Sequence, residues 1–148
     1  GLPTPIVEEV STIRVYTASG SHRRIDFDIR LRGLRAGVQL AGTDDDKGYG
    51  GFSLRFSHAD QLDFSSAGQA LQPAVGAVDT GDDVTFAWQS PVAGRPTKVR
   101  VACSVNGKPW RRWVLRRELS MQNCAFPGPR PVDVPQGAPL EIRASLVL

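Results

Sequence analysis

The sequence predicts an all-β protein, an antiparallel β-sandwich of roughly eight strands in a single domain over residues 1–148. Three observations carry that prediction. Across residues 24–32, Ile25, Phe27, Ile29 and Leu31 alternate strictly with Asp26, Asp28, Arg30 and Arg32. A period of two with one apolar and one charged face belongs to a half-buried antiparallel strand. Asn106-Gly107 separates two further runs and is a strong hairpin signal. No segment sustains a helical period, while 11 prolines and 15 glycines punctuate the chain.

Taken in order, Gly1–Glu9 is a proline-containing lead-in and Val10–Tyr16 an imperfect strand ended by Ser19-Gly20-Ser21. Arg24–Arg32 follows, then a turn at Gly33–Gly37 and a short strand at Val38–Ala41. In KGYGGFSLRF, residues 47–56, glycines frame Tyr49 and release into a strand over Gly51–His58. Phe52, Leu54 and Phe56 point to one side of it, Ser53, Arg55 and Ser57 to the other. Ala59–Asp83 is weakly patterned and reads as a long loop with one short strand near Leu71–Val78. Val84–Trp88 and Val99–Val105 alternate again, with a turn at Pro91–Pro96 between them, and Trp110–Glu118 follows the Asn-Gly turn. Leu115–Cys124 has room for a single helical turn. After a proline-rich bend at Pro127–Pro139, Leu140, Ile142, Ala144, Leu146 and Leu148 form one face of a last strand.

Net charge is +3, from 18 basic and 15 acidic residues interspersed along the chain. That balance argues against a nucleic-acid partner, which calls for a concentrated basic face. No apolar run approaches the ~20 residues of a membrane helix, so no membrane partner is expected. Cys103 and Cys124 are not a CxxC pair; they read either as one disulfide or as two buried thiols.

Few motifs carry chemistry. Asp44–Asp46 offers carboxylate oxygens, but the calcium-loop pattern fails because Arg55 stands where the closing glutamate belongs, leaving a solvated acidic turn as the plainer reading. The KGYGG glycines either present amides to an anion, or supply positive φ and close backbone approach. The second alternative is favoured, because no Walker or dinucleotide pattern is present. His22 and His58 lack metal-ligand spacing, and no serine or cysteine nucleophile motif occurs. Asp26, Asp28, Asp63 and Glu118 are the presented carboxylates, with no pair marked as acid and base. No catalytic residue, metal or cofactor is therefore assigned. WRRWVLRR, residues 110–117, is the most distinctive composition. On a strand, Trp110, Arg112, Val114 and Arg116 share one face, and Arg111, Trp113, Leu115 and Arg117 the other. A surface of Arg and Trp suits a sugar ring or an acidic group; it also suits covering a core with long aliphatic stems.

KGYGGFSLRF, preceded by RIDFDIRLRGL and VQLAGTDDD, resembles the soluble bacterial family labelled PmoA-like or methane-oxygenase-like. GKPWRRWVLRRELSMQNCAFPG and PVDVPQGAPLEIRASLVL resemble that family's later segments, so the similarity runs over nearly the whole chain. It implies a β-sandwich related to larger sandwiches of sugar-active proteins. Family members are longer, with a histidine-rich N-terminal half, so the resemblance implies that this chain corresponds to a C-terminal half alone or to a shortened member. The methane label does not transfer as an activity, because the chain shows neither a membrane span nor a copper-type cluster.

The expectation is a secreted or periplasmic domain, non-catalytic on its own, whose partner is a carbohydrate. Its contacts are expected at Tyr49, Arg55, Trp110, Arg112, Arg116 and Lys47. Two alternatives stand beside it. One is a subunit of a carbohydrate-active enzyme completed by a missing N-terminal half or partner chain, which would leave an exposed apolar patch. The other is a purely structural or oligomerising sandwich.

Overall fold

A computed structural model describes residues 3–45, 48–56, 62–91, 94–117 and 121–148. Among them there is no helix, and every sheet is antiparallel. The strands are β1 (Val7–Val15), β2 (Arg24–Gly33), β3 (Gln39–Leu40), β4 (Ser53–Leu54), β5 (Asp63–Ser66), β6 (Gln69–Ala70) and β7 (Val78–Asp79). They continue as β8 (Asp83–Ser90), β9 (Arg95–Val105), β10 (Lys108–Pro109), β11 (Arg112–Val114), β12 (Gln122–Cys124), β13 (Val132–Asp133) and β14 (Leu140–Val147).

One large sheet runs β1-β2-β14-β9-β8-β5-β6, with β10 folded back on β9. A second sheet runs β4-β12-β11-β7, and β13 pairs with β3 in a small ribbon. The alternation read from residues 24–32 and 140–146 sets which face of the large sheet is apolar. Leu140, Ile142, Ala144 and Leu146 are buried on that face, beside Val99, Val101 and Cys103 of β9. The small sheet answers with Trp113, Leu115, Cys124 and Phe52. Aromatic rings cross the gap: Phe27 meets Phe52 at 4.9 Å and Phe86 meets Trp113 at 5.8 Å between centroids. The two inner faces thus make the single interdigitated core of a sandwich.

Several elements differ from the sequence reading. β4 has two residues, because Cys124 takes up the Phe52 carbonyl and the pairing with β12 covers Ser53 and Leu54 only. Ser57, His58 and Ala59 lie outside the described residues. The long loop contains the β5–β6 hairpin and β7. No helical turn occurs at the described residues of 115–124, because Gln122–Cys124 is a strand paired on both edges, to β4 and β11. The cysteines are both free and buried, one on each sheet. Burial and a thiol hydrogen bond to Cys124 push the Cys103 thiol well above its ordinary pKa.

Candidate functional site

The hairpin at Asn106-Gly107 forms as its sequence demands, with φ of 48° and 77°. After it the chain changes sheets. The Trp110 amide still donates to the Cys103 carbonyl of the large sheet at 2.9 Å. The Trp110 indole N–H donates to the Ala125 carbonyl beside the small sheet at 3.1 Å, and its ring meets Phe126 edge-on at 5.0 Å. Trp110 is therefore the corner post between the two layers. The period-two reading of residues 110–117 holds only in part: Trp113 and Leu115 are wholly buried and Arg112 is exposed, but Val114, on the same side as Arg112, is wholly buried too, and Arg111 is exposed.

That outer face carries a cleft of about 420 Å³, bordered by Trp110, Arg112, Arg130, Ala77, Pro127 and Pro129. Arg112 reaches Asp79 only at 3.9 Å, across a loose and largely exposed pair, and Arg130 makes no ion pair with a described residue. Two guanidinium groups thus stand beside one anchored indole with donors to spare.

The KGYGG stretch builds the wall next to this cleft. A β-carbon at Gly50 would lie 2.6 Å from the Phe126 carbonyl oxygen, so only glycine lets the two backbones approach. Gly48 has φ of 60° and meets Gly128, itself a lining residue of the cleft, at 3.2 Å from its would-be β-carbon. The loop's amides are spent internally. Gly48 donates to the Asp45 carboxylate at 3.1 Å, Tyr49 to the Thr43 hydroxyl at 2.9 Å and Gly50 to the Asn123 side chain at 3.3 Å. Those three amides do not present themselves to an anion. Asp45 is the cap of this turn, and the described residues contain no cluster of metal-ligand type.

The expected contact residues are divided by the fold. Trp110 and Arg112 come together. Tyr49 is half-buried, with the Arg116 guanidinium carbon 5.9 Å from its ring centroid. Arg116 itself lies back over the neighbouring backbone, donating to the carbonyls of Ala74, Val75 and Leu115 at 2.8 Å each. It pins the 74–75 segment rather than facing the cleft. Arg55 is exposed on the small sheet's outer side and does not border the cleft. Lys47, like Asp46, His58 and Glu118, lies outside the described residues.

A larger groove, of about 630 Å³, crosses the outer face of the large sheet. Asp26, Asp28, Arg30, Ser104, Arg143 and Ser145 line it. Its carboxylates are already occupied. Asp28 faces Arg30 at 3.2 Å and Arg143 at 3.6 Å, while Asp26 takes Arg24 at 2.8 Å and the Tyr16 hydroxyl at 3.1 Å. Partial burial pushes the Asp26 carboxyl up, but hydrogen bonds from Arg24, Ser145 and Tyr16, and the charge of Arg24, outweigh it and hold the group below the usual range. An ionised, saturated carboxylate is a poor general acid, so volume alone does not make this groove the better site.

A family of unknown function, DUF6807, matches residues 3–148. The chain belongs to the DUF6807 family. No curated protein and no solved structure matches it. For this DUF6807 chain the cleft therefore rests on its own geometry. Sequence reasoning found Trp110 and Arg112 through strand parity, and missed Arg130. Arg130 sits in the proline-rich bend, where no periodicity assigns a direction to a side chain. It also missed Asn123, which is wholly buried and ties the KGYGG loop to β12 through Gly50, Phe52 and Ser53.

Proposed function

We propose that this DUF6807 chain is an exported, non-catalytic domain that binds a carbohydrate in the cleft of Trp110, Arg112 and Arg130. The observation that carries the reading is the convergence of one anchored indole with two sparsely paired guanidinium groups in a single concavity. An indole and prolines accept the apolar C–H face of a pyranose, and arginine forks bridge adjacent hydroxyls or a carboxylate. The large-sheet groove is roomier, but its carboxylates are each taken up by an arginine; of its lining arginines only Arg14 makes no ion pair with a described residue. We also propose kinship with the PmoA-like family, on the KGYGG and WRRW segments; export and the larger sugar-active sandwich enter through that kinship alone.

The test is a saccharide panel, neutral and acidic, read by isothermal calorimetry. The expected result is binding to at least one class, weakened ten-fold or more in Trp110→Ala and in Arg112→Ala/Arg130→Ala. Absence of any binding across the panel overturns the reading. A second reading, a domain completed by a partner chain or a further half, is favoured by one observation: Ile13 and Val15 are exposed although they lie on the core side of the large sheet.

A further inference from the structure

The two edges of the large sheet are unequal. The far edge ends in β6, a two-residue strand. The near edge is β1, nine residues long and in unbroken register with β2, without a proline or a bulge. Natural edges are blunted by shortness, bulges or charge, because an open strand templates pairing with another strand. β1 is long, regular and open. It also exposes apolar side chains: Ile13 is 60% and Val15 63% exposed, and Val10, Ile6 and Tyr16 stand out as well.

We propose that β1 pairs with β1 of a second copy, antiparallel about a two-fold axis at Ser11, joining two large sheets into one. The register follows from the strand's own sequence. With Ser11 opposite Ser11, Glu8 of each copy faces Arg14 of the other, Val7 faces Val15, Val10 faces Thr12 and Ile6 faces Tyr16. Opposite charges meet in both symmetric positions, and all five exposed apolar side chains gain a cross-strand neighbour. A slip of two residues puts Glu8 opposite Thr12 or Tyr16 instead, and a slip of one turns the apolar face to the wrong side. Arg14 has no ion-pair partner among the described residues, so its guanidinium is available. Glu8 is held by Arg32 at 2.7 Å and would bridge Arg32 and the second copy's arginine. Glu9 meets Ile13, its carboxylate kept at the open face by the Ser11 hydroxyl at 2.7 Å. A single shared strand is a small interface, so the dimer belongs in the micromolar range of dissociation constants.

Sedimentation equilibrium between about 1 and 100 μM tests this. Wild type is expected to dimerise within that range. Glu8→Arg and Arg14→Glu each place two like-charge pairs in the interface and are expected to weaken it about ten-fold. Glu8→Arg/Arg14→Glu in one chain restores it, as does an equimolar mixture of the two single variants. These positions are exposed, and unchanged circular dichroism confirms that each variant is folded. A wild type that stays monomeric, single variants that leave dimerisation unchanged, or a double variant that fails to restore it each overturns the proposal. Monomeric wild type would leave the edge to a strand of another polypeptide. Saccharide binding at the Trp110 cleft is measured on the same samples and fails or survives independently.

Discussion

At the scale of single residues, Asn123 does more than its place in a short strand suggests. It is wholly buried and saturates its amide against Gly50, Phe52 and Ser53, with donor–acceptor distances from 2.6 to 3.3 Å. Asn123→Ala leaves the part-buried Gly50 N–H and carbonyl without this partner and opens a void at a wholly buried site, and we expect it to cost ~2–4 kcal/mol in urea unfolding. Asp26 contributes a pH dependence of definite sign. Its folded pKa lies below the ordinary carboxylate value, so its contribution is present above that value and is lost as pH falls through the depressed folded one. Acid titration of the melting temperature should show a drop below about pH 4 that is shallower in Asp26→Asn. Both residues lay in the sequence, but only Asp26 had a periodic pattern to mark its face. Asn123 gave no signal, because its role comes from a loop more than seventy residues away in the chain.

At the scale of elements, local alternation was legible and turn chemistry only partly so. β2, β9 and β14 were readable because one face of each is core and the other is wet. The β5–β6 hairpin was not, because its turn is Ala67-Gly68 with φ of 49° and 78°. Alanine gives no turn signal and is strained with positive φ. Ala67→Asn fits the same backbone with less strain, and we expect it to raise stability by ~0.5–1 kcal/mol in urea unfolding. β12 was misread for a related reason: its own residues do not alternate visibly, and pairing on both edges decides its conformation. Arg116 joins elements in a way that strand parity anticipates only in part. Parity gives the face, and the carbonyls of Ala74 and Val75 then hold the guanidinium against that segment. Arg116→Ala should release that segment and make limited proteolysis near residues 74–75 faster by several-fold, with the fold retained.

At the scale of the whole molecule, the sandwich was legible but its partition into sheets was not. Periodicity says which way a side chain points, not which sheet its strand joins. The sheet change at Trp110 is an example: one hairpin signal precedes it, and nothing local marks the corner. That corner is why Trp110 and Arg112 meet Arg130 from a distant bend. The proposed export carries its own check. Cys103 and Cys124 are both buried in the core on opposite sheets, and Cys124 is among the groups that push the Cys103 thiol up. In protein isolated from its native source, with thiols blocked at lysis, we expect non-reduced intact mass to fall short of the reduced mass by about 2 Da. Equal masses would count against export. The most direct test of the cleft is an NMR titration with the tightest saccharide of the panel, following indole and arginine side-chain N–H signals. Trp110, Arg112 and Arg130 are expected to shift together while Trp88, Trp113, Arg30 and Arg143 stay in place. Shifts confined to Arg30 and Arg143 would move the site to the large-sheet groove and contradict the cleft assignment.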